Sequence, residues 1–192
     1  MDLRPYIAMN LYTDSYYIQR IQAGETDCFA CLLDKYSRQV YSLVYRIVEN
    51  REDAEELSQD VFMKAFRSLS SFKGESSFST WLYKITYNTA VSATRKKKTE
   101  WLAIDDSAME NVPEESTDSF FGQVDEKEQL DYLNKALEQL PPDERGLITL
   151  FYMKEKSVEE IVSITGLSAS NVKTKMYRIR KKLYALMKAM EE

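Results

Sequence analysis

Cys28-Phe29-Ala30-Cys31 comes nearest to a reagent in this chain, because two thiols three residues apart suit a redox pair or half of a zinc site. Zinc needs two further ligands, and the chain has no histidine to offer. A redox pair ordinarily opens a helix after a strand, whereas this one lies inside "DCFACLLDKY", an apolar run in which cysteine serves as a small core residue. Carboxylates are the next candidates. "DAEELSQDVFMKAF", 53–66, sets Asp53, Glu56 and Asp60 three and four residues apart, on one side of a helix. Acid catalysis or metal binding needs companions, and no histidine or other ligand type accompanies them. The expectation is a protein with no catalytic residue, no metal and no cofactor.

Binding chemistry is better represented. "FSTWLYKITYNTAVSATRKKK", 78–98, packs aromatic rings into its first half and ends in Arg95-Lys96-Lys97-Lys98. Aromatic faces accept unstacked bases while cations follow a phosphate backbone, which is the chemistry of single-stranded nucleic acid. Helical spacing puts Leu82, Ile85, Thr89 and Ala93 on an inward side and Trp81, Lys84, Asn88 and Arg95 on another. For Trp81, Tyr83 and Tyr87 taken singly, burial and stacking both stay open. As a group running straight into four cations, they favour contact with a single strand.

A second basic surface lies near the C-terminus. Val172, Met176, Ile179, Leu183, Leu186 and Met190 recur every three or four residues and face a core, leaving Asn171, Thr174, Lys175, Arg178, Lys181 and Lys182 on the other side. "SVEE", 157–160, fits a capping box, "GLSAS" makes a tight turn after Thr165-Gly166, and Ser168 caps the longer helix that follows, to about Met190. A short capped helix, a glycine turn and a longer helix with a basic face make a helix-turn-helix, whose first residues meet base edges while flanking cations meet phosphates. A solvated basic face is the alternative, outweighed here by the coincidence of cap, turn and stripe.

The elements that position these surfaces are helices. The 192 residues include only 5 Gly and 4 Pro, with no succession of alternating strands. Expected in order are a short helix closed by Gly24 and a helix from about Asp27 to Val48 with Phe29, Leu32, Leu33, Tyr36, Val40, Leu43 and Val44 buried. Next come a helix capped by Asn50 and reaching about Leu69, a Ser- and Gly-rich loop over 70–79, and a helix entered near Ser79 or Thr80. On the third of these, Leu57, Val61 and Ala65 line one face, with Phe62 at its edge. An ordinary amphipathic helix and a protein-binding helix both fit it, the latter being the better functional reading.

Residues 99–124 carry no Lys or Arg and no sustained period, and read as an acidic linker in which Trp101, Leu102, Phe120 and Phe121 could dock transiently. Beyond it Leu130, Leu133, Leu137 and Leu140 form a stripe stopped by Pro141-Pro142, and a helix runs from about Asp143 to Met153. The fold expected is all-α, two small helical domains (1–98 and 125–192) joined by that flexible linker, the second a helix-turn-helix. The net charge of −5 excludes a general nucleic-acid coat but hides segregated acids and bases, which suggest separate partners. No apolar run is long enough to span a bilayer, and the N-terminus lacks a basic start followed by an apolar run, so a cytoplasmic location without membrane insertion is expected.

Three stretches carry a family resemblance: "YIQRIQAGETDCFACLLDKYSRQVYSLVYRIVENREDAEELSQDVFMKAF", "FKGESSFSTWLYKITYNTAVSATRKK" and "ALEQLPPDERGLITLFYMKEKSVEEIVSITGLSASNVKTKMYRIRKKL". In that order they resemble the extracytoplasmic-function (ECF) sigma factors, promoter-specificity subunits of bacterial RNA polymerase. Val162, Asn171 and Cys28 depart from residues common in the family without removing a motif.

The resemblance implies that Asp53, Glu56, Leu57, Gln59, Asp60 and Phe62 bind the clamp helices of the polymerase β′ subunit. It implies that Lys73, Ser76, Phe78, Ser79, Thr80, Trp81, Tyr83, Lys84, Asn88, Arg95 and Lys96 hold the melted strand of the minus-ten element, with a base flipped near the 73–80 loop. Ser168, Ser170, Asn171, Lys173, Thr174, Lys175, Arg178, Lys181 and Lys182 would read the duplex minus-thirty-five element. The implied partners are core RNA polymerase (β′ clamp helices and β flap), promoter DNA and an anti-sigma factor. A free-standing helix-turn-helix regulator and a protein-only helical adaptor are the rival readings.

Overall fold

A computed structural model describes residues 12–96 and 127–191, with side chains over 12–95 and 131–190. The linker expected over 99–124, with its four aromatic and apolar docking candidates, lies outside the described residues, as do Lys97 and Lys98 and the side chains of Lys96 and Leu130. Among the described residues all regular structure is helical, and the chain divides into two compact units.

The N-terminal unit holds α1 (Asp14–Gln22), α2 (Phe29–Val48), α3 (Arg51–Ser68) and α4 (Phe78–Lys96), with 3-10 turns at Thr26–Cys28 and Leu69–Ser71. Gly24, at φ +105°, lets the chain turn after α1 where an L side chain would be strained. Asp14 ties α1 to α2, its carboxylate accepting from Lys35 Nζ at 2.6 Å and from the Tyr36 hydroxyl at 2.6 Å.

The apolar stripe of α2 buries Phe29, Leu32, Tyr36, Val40, Leu43, Val44 and Ile47. Leu33, expected among them, stands 43 % exposed, because one residue beyond Leu32 is a 100° rotation away from the stripe. Asn50 caps α3 as its position suggests, its side chain accepting from the Asp53 backbone N–H at 2.9 Å. Fully buried Ala54 and Ala65 on α3 leave room for its close approach to α2.

α4 starts earlier than expected. Its first residue is Phe78, and Ser77 supplies the cap, its Oγ accepting from the Thr80 N–H at 3.1 Å. The Ser-rich run made the cap hard to choose, and burial of Phe78, at 4 % exposure, fixes it.

In the C-terminal unit, α5 (Lys127–Glu138) is followed by α6 (Pro142–Ile148), a π turn (Thr149–Met153), α7 (Val158–Thr165) and α8 (Ala169–Glu191). Pro142 opens α6 rather than only ending α5; its missing N–H is one that a helix start leaves unpaired anyway. Arg145, almost wholly buried, donates to the Glu138 carbonyl at 2.9 Å and so satisfies the end of α5. The Ser157–Glu160 capping box forms in both directions, and Gly166 ends α7 in the left-handed conformation at φ +75°. Ser168 accepts from the Asn171 N–H at 3.2 Å and starts α8. The core stripe of α8 is Val172, Met176, Ile179, Leu183 and Met187. Leu186 and Met190 were expected on it and are only half-buried, because a step of four from Leu183 keeps the 3.6-residue register that a step of three leaves.

Candidate polymerase and nucleic-acid interfaces

α4 sorts its aromatic residues by face. Phe78, Tyr83 and Tyr87 are buried, at 4 %, 4 % and 7 % exposure. The Tyr83 hydroxyl donates to Gln39 Oε1 of α2 at 3.0 Å, which gives a buried phenol the partner it requires, and burial pushes its pKa up to about 12. Phe78 packs against Tyr36 and Phe72, ring centroids 5.4 and 6.0 Å apart. Phe78 and Tyr83 were both expected among the residues that hold a single strand, and both lie in the core of this unit. Ile85 and Ala93, expected inward, are only half-buried.

Trp81 is different. It is half-exposed, with its indole resting on Phe72 at 5.2 Å and Phe78 at 5.6 Å, and Lys84, Asn88 and Arg95 are exposed along the same helix. In the preceding loop Lys73 and Ser76 are exposed and Ser79 is half-buried. Thr80, only 2 % exposed, turns its hydroxyl to Ser77 Oγ at 2.8 Å, so it too is corrected from a contact to a support. Lys64 of α3 reaches Thr89 Oγ1 at 3.2 Å and braces the middle of α4. One aromatic seat with cations beside it can hold a base on the indole face and phosphates alongside.

Glu56, Gln59 and Asp60 on α3 are exposed and Asp53 and Leu57 half-buried. Phe62 is 8 % exposed and packs edge-on to Phe29 at 6.5 Å. It was expected to bind a partner directly, and instead it forms the floor of a groove of ≈ 1060 Å³ between α2 and α3. The groove's apolar walls include Leu33, Met63 and Phe66, exposed by 43 %, 51 % and 41 %, while Asp27, Glu55 and Gln59 supply polar edges. Leu33 was expected in the core, and Met63 and Phe66 escaped the sequence reading. Their signal was an excess: Phe62, Met63 and Phe66 are more apolar residues than one inward stripe of α3 can use. Cys28 and Cys31, at the entrance to α2, are free thiols and both half-buried; among the described residues no group of carboxylates and cysteines is placed to hold a metal.

On α8, Ser168, Ser170, Asn171, Lys173, Thr174 and Arg178 are exposed. Lys181 lies over the Tyr177 ring at 5.0 Å. Two other candidates are committed elsewhere. Lys175 Nζ pairs with Asp143 at 2.9 Å, and Lys182 Nζ reaches both carboxylate oxygens of Glu144 at 2.9 and 3.0 Å. Helical spacing alone put both on the polar side. The acids that turn them toward the first turn of α6 are more than thirty residues away in the chain, so no local pattern could show them.

Comparison with known proteins matches these two units to two family models, sigma-70 region 2 over residues 32–100 and sigma-70 region 4 over 130–183. The ECF RNA polymerase sigma factor SigW of Bacillus subtilis is 31 % identical over 172 residues, covering 86 % of this chain and 92 % of its own length. The ECF RNA polymerase sigma-E factor of Escherichia coli is 33 % identical over 176 residues, covering 88 % and 91 %. The fold is shared with the sigma factor RpoE of Bartonella quintana, solved with the anti-sigma factor NepR, at a TM-score of 0.61, 24 % identity, and 83 % and 96 % coverage. With region 2 carrying the indole seat and the α2–α3 groove, and region 4 carrying the capped helix, glycine turn and basic helix, the chain belongs to the ECF sigma factors of bacterial RNA polymerase.

Proposed function

We propose that this sigma factor, which directs RNA polymerase to promoters, divides the task among three surfaces. The outer face of α3, with Asp53, Glu56, Leu57, Gln59 and Asp60, and the adjoining groove of Leu33, Met63 and Phe66 dock the polymerase clamp helices. Trp81, Lys84, Asn88 and Arg95, with Lys73, Ser76 and Ser79, hold the melted non-template strand. Ser168, Ser170, Asn171, Lys173, Thr174 and Arg178 read duplex DNA upstream, and the C-terminal unit meets the β flap. The chain works in the cytoplasm and performs no catalysis of its own. An anti-sigma factor is its regulatory partner, a reading supported by the Bartonella protein's complex with the anti-sigma factor NepR.

The observation that carries this reading is the sorting on α4: its other rings are inside, and the one left with an open face sits among exposed cations. Only strand-separated DNA offers a base to that face, so binding it shifts the duplex toward the open state without ATP. Run-off transcription with core polymerase tests the division. Trp81→Ala should lower promoter opening about tenfold, the worth of one base stacked on an aromatic ring, and leave core affinity unchanged. Asp60→Lys should weaken core binding and, once core is saturated, leave opening intact. Equal loss of core affinity in both variants would sink the assignment.

A further inference from the structure

Gln22, the last residue of α1, reaches out of its own helix to the segment between α3 and α4. Its Nε2 donates to the Leu69 carbonyl at 3.1 Å and to the Phe72 carbonyl at 3.2 Å. Both partners are acceptors, so only the NH2 end of the amide fits. The two carbonyls bracket one turn, which Phe72 N–H already closes on Leu69 O at 3.1 Å. Leu69 is buried, so the start of the turn is anchored by packing, while Phe72 at its end is half-buried and followed at once by exposed Lys73. The Phe72 ring is in turn half of the seat beneath Trp81.

We propose that Gln22 is a positioning residue for the strand-binding face. Its amide pins the Leu69–Phe72 turn, the turn fixes Phe72, and Phe72 sets the tilt at which Trp81 meets a base and the point from which Lys73 and Ser76 project. The inference rests on the reading of α4 as the single-strand surface. α1 does not need a glutamine for its own sake: the Gln19, Arg20 and Ile21 carbonyls at its end already accept from the Ala23, Gly24 and Glu25 N–H groups. A donor pair aimed at two carbonyls some fifty residues onward is accounted for by the turn it holds.

The test uses the full chain carrying Trp101→Phe, which leaves Trp81 as its only tryptophan. Gln22→Leu removes the donors, Gln22→Glu sets carboxylate oxygens against the two carbonyls, and Gln22→Lys keeps a donor. In the first two, Trp81 emission should shift, and holoenzyme affinity for a mixed-sequence single-stranded DNA oligonucleotide should fall about tenfold at unchanged core affinity. Gln22→Lys should keep most of both. Unchanged emission and affinity in Gln22→Glu overturns the proposal, as does equal loss in Gln22→Lys or a parallel loss of core affinity. Trp81→Ala is run beside them. If it leaves oligonucleotide binding intact, the strand-binding reading itself fails. If it weakens binding while Gln22→Glu does not, only the role of Gln22 falls.

Discussion

Lys182→Ala distinguishes two jobs that a cation on α8 can have. A lysine facing phosphate contributes to DNA affinity and its salt dependence; a lysine facing Glu144 contributes to the unit that carries the helix. The geometry favours the second job. The Lys182 and Glu144 side chains are 17 % and 14 % exposed, and the ammonium touches both carboxylate oxygens. Exposed pairs contribute about 0–1 kcal/mol, and breaking a fully buried pair costs about 3–5 kcal/mol because the abandoned charge stays desolvated. A pair that is mostly but not wholly covered falls between, at about 2 kcal/mol. Lys175 and Asp143, at 39 % and 37 % exposure, belong near the exposed end, at about 0.5 kcal/mol.

Those magnitudes separate in two assays. A loss of about 2 kcal/mol lowers hydrogen-exchange protection of the α6 and α8 amides by about 30-fold, and reading those amides isolates the C-terminal unit from the other. A phosphate contact removed from B-DNA binding lowers the slope of log affinity against log salt by about 0.9. Lys182→Ala in holoenzyme should therefore leave the salt slope for promoter duplex unchanged while protection collapses. Glu144→Gln should lose the same protection, but by releasing Lys182 it should steepen the slope rather than leave it unchanged. Arg178→Ala should do the opposite, losing about 0.9 of slope at full protection. A Lys182→Ala protein with intact protection and a slope lowered by about 0.9 would refute the argument and return Lys182 to the DNA surface.

Two further outcomes follow from the packing. Tyr83 has its pKa pushed by burial from 10.0 up to about 12, so its contribution to stability is complete below about pH 10 and is lost as pH rises toward 12. Tyr83→Phe should flatten that decline by on the order of 2 kcal/mol in urea unfolding of the N-terminal unit, leaving the share of Tyr36, which burial raises likewise; identical decline in both proteins would contradict it. Ser157→Ala removes the capping box of α7 and should cost about 1 kcal/mol, read as about fivefold lower protection of the Glu160 amide; a change under twofold would show that the cap is idle.

What the sequence displayed and what it concealed differ by the range of the interaction. Asn50, Ser157, Gly166 and Ser168 were legible because a cap or a left-handed turn is decided within four residues. Leu33 and Leu186 were misplaced because an apolar residue near the edge of a stripe is sorted by the shape of its neighbour helix, which periodicity does not contain. Tyr83 was ambiguous for a related reason. A tyrosine can be buried only where its hydroxyl finds a partner, and the partner, Gln39, stands forty-four residues earlier on α2. The family motifs marked three stretches as candidate surfaces; only three-dimensional packing could say which residues of each are exposed and which are buried.

That distinction changes the electrostatics of promoter recognition. Counted along the sequence, α8 offers Lys173, Lys175, Arg178, Lys181 and Lys182 to phosphate. In the folded unit Asp143 and Glu144 hold two of them, and those acids are themselves favourably placed in the first turn of α6, at the positive end of its dipole. Lys173 and Arg178 stay exposed, with Lys181 leaning on Tyr177. Phosphate contacts by Lys173 and Arg178 would give a salt slope near −2 and little non-specific affinity, in a chain whose net charge is −5. A helix so trimmed selects a site poorly by itself. Fixed on polymerase beside a second DNA-binding surface, the same helix gains the effective concentration that its own charge does not provide. Weak duplex binding by the free chain is then the expected counterpart of selective binding by the holoenzyme. Replacing Asp143 and Glu144 together by Asn and Gln should erode that difference: the two freed lysines would steepen the free chain's slope by about 2, and its discrimination between promoter and random duplex would fall.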